Sequence, residues 1–151
     1  MSARGGKLSH EPGKHAPYFE LVDAQKRAGC PICRLIYKAT SRYLESILYE
    51  AVLDPDVRAK LKGSRGFCAQ HVEMLTRKPG RALGIALVYR DTIRALAELA
   101  EKSHFERDDS FFSKLRGQKR GGMATALKLA PNQGCPACEI GQNAERTFIE
   151  L

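Results

Sequence analysis

Apolar residues recur at helical spacing through most of the chain. Ile32, Leu35, Ile36, Tyr43, Leu44, Ile47, Leu48 and Ala51 trace a single stripe, the pattern of a helix with one face on a core. Pro31 suits the first turn of that helix, where its missing N–H is no loss. A shorter helix precedes it. Pro17 opens it, Tyr18, Phe19, Leu21 and Val22 are its apolar content, and Gly29 ends it, since glycine tolerates the left-handed conformation past a helix C-terminus.

Asp54-Pro55 predicts a third helix, with Asp as cap and Pro at the first position. Val57 and Leu61 point inward and Gly63 closes it. A fourth helix runs from about Ala69 to Arg77, with Val72 and Leu75 inward, and Pro79-Gly80 breaks it. The longest helix spans about Arg81 to Lys102. Leu83, Ala86, Leu87, Ile93, Leu96, Ala97 and Ala100 trace its faces, and Gly84 marks a close helix crossing. Residues 123–130 predict a brief helix, and Pro136 opens a last one. No strand pattern is evident. The expected fold is all-α: a small helical bundle with a metal site joining helix N-termini. Its expected parts are a disordered leader (1–15), a helical domain (16–103), a basic linker with short helical turns (104–133) and the start of a second repeat (134–151).

Composition narrows the class. The 151 residues fit one domain, and 43% hydrophobic content is enough for a core. No apolar run approaches the length needed to span a bilayer. The polar first fifteen residues do not read as a secretory signal, so a cytoplasmic protein with no membrane contact is expected. Lys and Arg number 25 against 17 Asp and Glu, giving +8. The one local concentration is Lys114, Arg116, Lys119 and Arg120, which reads as a solvated loop or as a nucleic-acid contact.

Five cysteines are many for a chain without an export signal, and four of them lie in two CxxC pairs. Metal or redox chemistry is a better account than a disulfide framework. Cys30-x2-Cys33 and Cys68-x2-His71 each place two donors on one side of a helix start. Free N–H groups and the positive dipole end there favour thiolates. Together the two blocks supply the four ligands of a closed, structural Zn2+ site. A [4Fe-4S] cluster could instead use Cys30, Cys33, Cys68 and one or both of Cys135 and Cys138, but it leaves His71 without a role. A thioredoxin-like pair would need a strand before the motif, and reduced cysteines without a ligand are the remaining alternative. No phosphate loop, nucleophile elbow, HExxH or dinucleotide fingerprint is present, so an enzyme is not the expectation.

The second CxxC block resembles the first beyond its cysteines. Gly29-Cys30-Pro31-Ile32-Cys33-Arg34-Leu35 aligns without gaps on Gly134-Cys135-Pro136-Ala137-Cys138-Glu139-Ile140, and Tyr43-Leu44-Glu45 falls on Phe148-Ile149-Glu150. This suggests a duplicated unit of which the second copy supplies its first half. Cys135 and Cys138 are then additional metal ligands that join the first site, pair with another subunit in a homodimer, or stay free.

Taken as a set, Cys-Pro-Ile-Cys, Arg42-Tyr43-Leu44-Glu45, Asp54-Pro55-Asp56-Val57-Arg58 and Gly66-Phe67-Cys68-x-x-His71 resemble a family of prokaryotic helical proteins of unknown function. Its members look like two copies of a CPxC…G-[FL]-C-x-x-H unit. The likeness covers residues 18–102 and 134–151. It implies a helical metal-binding protein and supplies no activity. The functional expectation is a non-catalytic interaction or scaffold module with a protein partner. The alternatives are an iron–sulfur protein in electron transfer or redox sensing, and a nucleic-acid-binding regulator.

Overall fold

A computed structural model describes residues 15–102 and 121–151. They form α1 (His15–Gln25), α2 (Pro31–Tyr49), α3 (Pro55–Gly63), α4 (Ala69–Thr76), α5 (Ala82–Glu101), α6 (Gly121–Leu129) and α7 (Pro136–Ile149). No strand occurs among the described residues, and the chain is all-α there. The expected leader, up to residue 14, lies outside them, as do Lys114, Arg116, Lys119 and Arg120. No helix among the described residues is long and apolar enough to cross a membrane.

Three helices start as the prolines predict. Cys30, Asp54 and Cys135 are extended N-cap residues, each followed by Pro in the first turn of α2, α3 and α7. The Asp54 carboxylate accepts from the N–H groups of Asp56 and Val57, a cap worth about 1 kcal/mol.

The core gathers on the second half of α2. Leu44, Ile47 and Leu48 pack with Leu61 of α3, Leu75 of α4, Val88 of α5, Ala137 of α7 and Phe67 from the turn before α4. The stripe of α5 is narrower than its apolar content. Val88 and Thr92 are buried, whereas Leu83 and Ile93 are exposed, because the helix carries more apolar positions than one face can bury. Gly84 does sit at a crossing: a Cβ there would stand 3.4 Å from both the side chain and the carbonyl of Leu48.

α7 packs along α2, in the most extensive contact between any two helices. Gly141 lies against Ile36 and Thr40. Cys33 is within electrostatic range of Glu145, and Tyr43 within range of Cys135 and Glu139. Numbers rise along α2 as they fall along α7, so the two helices are antiparallel. Cys135 therefore arrives beside the C-terminal half of α2, at the end opposite Cys30.

A partly buried ion pair ties α3 to α5. Arg58 Nη1 lies 2.5 Å from Asp91 Oδ2, with both side chains only about a fifth exposed. The Arg58 Nε also donates to the Val52 carbonyl. Asp91→Ala leaves that guanidinium without its carboxylate and is expected to cost about 1–3 kcal/mol. Urea unfolding measures this, and a loss under about 0.5 kcal/mol, the scale of an ordinary surface substitution, would show the pair to be incidental.

Candidate metal centre

The first half of the centre is the start of α4. Gly66 adopts φ +99, a left-handed conformation that only glycine takes without strain. Its α-carbon faces the Tyr89 ring, which a Cβ would approach to 3.2 Å. The turn delivers Cys68 as the N-cap of α4, and His71 follows as the third helical residue. The second half is built alike at α7, with Cys135 at the N-cap and Cys138 third in the helix. The N-cap and the third helical residue lie close together at a helix start, so each block presents two donors to one side.

The two helix starts meet. His71 Nδ1 lies 3.1 Å from Cys68 Sγ and 3.5 Å from the Sγ atoms of Cys135 and Cys138, and Cys68 Sγ lies 3.7 Å from Cys138 Sγ. All four donor atoms fall within 4.8 Å of one another. Zn–S bonds of about 2.3 Å and Zn–N bonds of about 2.0–2.1 Å, at tetrahedral angles, put sulfurs about 3.8 Å apart and sulfur from nitrogen about 3.6 Å. Four of the six separations are thus close to the edges of one tetrahedron, the other two lie within 4.8 Å, and the group can hold a metal ion.

Burial suits such a centre. His71 is buried, and the three cysteines are half-buried and free of disulfides. Burial holds the His71 imidazole below its usual value, which favours the neutral ring that ligates. Burial pushes the Cys138 thiol up to about 12, helped by the sulfurs of Cys68 and Cys135. At Cys68 burial also pushes up, but the backbone N–H of His71 and hydrogen bonds from Cys138 and Cys135 outweigh it, and the thiol ends below its usual value. Burial raises the Tyr89 phenol; a backbone hydrogen bond with Phe67 opposes the rise, and the nearby Cys135 and Cys68 sulfurs add to it.

Of the four ligands expected from the sequence, Cys68 and His71 are in this group. Cys30 and Cys33 are not: they stand exposed at the start of α2. Cys135 and Cys138 take their place. The reason is helix length. α2 has 19 residues and at 1.5 Å per residue spans about 28 Å. The nine residues of α3 cover only about 13 Å, and the turn at Ser64 and Gly66 stays folded on the last carbonyls of α3, so Cys68 does not reach the start of α2. Cys68 consequently stays near the far end of α2, where the antiparallel α7 brings its own CxxC. Cys135 and Cys138 were legible as spare ligands. The signal that assigns them here is the length of α2, which separates Cys30 from the Cys68 block at the other end of the helix.

A family model described as a family of unknown function (DUF6062) matches residues 17–128. The match covers most of the chain, and the protein belongs to that family. It includes Cys30, Cys33, Cys68 and His71 and stops before Cys135 and Cys138. Neither a curated protein nor a solved structure matches the chain.

Proposed function

We infer that Cys68, His71, Cys135 and Cys138 hold a structural zinc ion that fastens the start of α7 to the start of α4, in a non-catalytic module that acts through protein association. The observation that carries this reading is the set of donor separations, close to the edges of a single zinc tetrahedron. A [4Fe-4S] cluster bonds each protein donor to a different iron, which spreads the donors apart. Four atoms within 4.8 Å favour one ion. Three thiolates and an imidazole suit zinc, and four protein ligands leave no open position for water or substrate. The exposed Tyr18 and Phe19 on α1 offer apolar surface of the kind a partner covers. Cysteines reserved for metal fit a reducing compartment, the cytoplasm.

Elemental analysis of anaerobically purified protein tests the reading. A colourless protein with one tightly held zinc at this centre is expected, and Cys68→Ser with Cys135→Ser abolishes that retention, leaving at most half an ion per chain. Affinity should also climb with pH. The Cys138 thiol, pushed up to about 12, carries its proton at neutral pH and must surrender it to the metal. Each proton displaced makes apparent affinity rise about tenfold per pH unit. A brown, iron-containing protein, retention of a full zinc per chain by the double variant, or a flat affinity between pH 6 and 8 would overturn the reading.

A further inference from the structure

The remaining pair, Cys30 and Cys33, has the same local build as the pair already in the centre. Cys30 is the N-cap of α2 with φ −67 and ψ 120, and Cys135 is the N-cap of α7 with φ −63 and ψ 125. Pro follows each, and the second cysteine comes third in each helix. At α2 the two thiols are exposed and within electrostatic range of each other. The shift in numbering that carries Cys30 onto Cys135 also carries Ile36 onto Gly141, and these two residues touch. Equivalent helices therefore cross at equivalent points, so one half-site lies at each end of the pair. One end meets Cys68 and His71. At the other end no third donor joins Cys30 and Cys33 among the described residues.

The exposed pair is also braced. Arg34 donates to the carbonyls of Ala24 and Ala28, fixing the turn from α1 into α2. Its guanidinium is within electrostatic range of Cys30, where it offsets the negative charge of thiolates together with the dipole of a 19-residue helix. Two sulfurs in place satisfy half of a tetrahedron. A tetrahedron has two-fold axes, so the same two sulfurs from a second copy complete it, and the resulting contact closes as a symmetric dimer.

We propose that Cys30 and Cys33 form a second zinc half-site, completed by Cys30 and Cys33 of a second copy of this chain, which makes the protein a metal-bridged dimer. This rests on the reading of the first centre, and the test separates the two. The 151-residue protein is titrated with zinc under reducing, anaerobic conditions, with bound metal and molar mass followed together. About one and a half ions per chain and a zinc-dependent dimer are expected. The variant Cys30→Ser with Cys33→Ser should bind one ion per chain, stay monomeric and keep its helicity. A wild-type protein that remains monomeric in excess zinc overturns the proposal. So does a dimer that persists in the double variant, or a second full ion held by a monomer. A double variant that binds no zinc at all would instead refute the first centre.

Discussion

Chelating the metal is expected to release α7 from α4 and to cost the protein several kcal/mol. The reason lies in what α7 buries. Its buried residues are Pro136, Ala137 and Gly141, all small, so apolar contact holds the helix weakly at about 25 cal/mol per Å2. A structural zinc contributes about 10–16 kcal/mol in peptides that depend on it wholly. Here part of the fold has a core of its own around Leu44, Ile47 and Leu75, so the loss is partial and localised. Hydrogen exchange reads it directly: with chelator present, amides of residues 136–149 should lose protection while those of α3 keep theirs. His71→Ala should reproduce the pattern with zinc present. Equal protection of α7 with and without chelator would show that packing alone seats it.

Leu44→Ala should be the most damaging substitution away from the metal. Leu44 is fully buried, in the half of α2 whose neighbours reach the core from α3, α4, α5 and α7. Truncation removes apolar contact and leaves a cavity that rigid helices cannot close, a loss of about 2–5 kcal/mol. Urea unfolding of the zinc-loaded protein measures it. The same substitution at the exposed Leu83 of α5 is expected to change stability by under about 0.5 kcal/mol. Comparable losses at the two positions would contradict the placement of the core.

Local rules carried most of the helix starts. Proline after Cys30, Asp54 and Cys135 marked α2, α3 and α7, and the stripe of α2 gave Leu35, Leu44, Ile47 and Leu48 their inward side. These features depend on neighbours within one or two turns, which a sequence displays. The longest helix is less legible: periodicity admits Leu83 and Ile93, which are exposed, because spacing alone does not say which of two apolar faces has a neighbour. The candidate centre was half legible for the same reason. Cys68-x-x-His71 is a local unit and could be read as one. Its companion is a matter of which helix end comes near, and proximity along the chain pointed to Cys30 and Cys33.

The pairing of Cys68 with Cys135 has a kinetic side. An ion bound by both closes a ring of about 67 residues, and bringing the ends of such a loop together costs about 4 kcal/mol in chain entropy. The three helices after the tether's first anchor must therefore form or be traversed before the last can dock. During synthesis α2 through α5 leave the ribosome long before Cys138 does. An ion held there would be a late clasp: its supply would govern the final step of folding, while the earlier helices collapse without it.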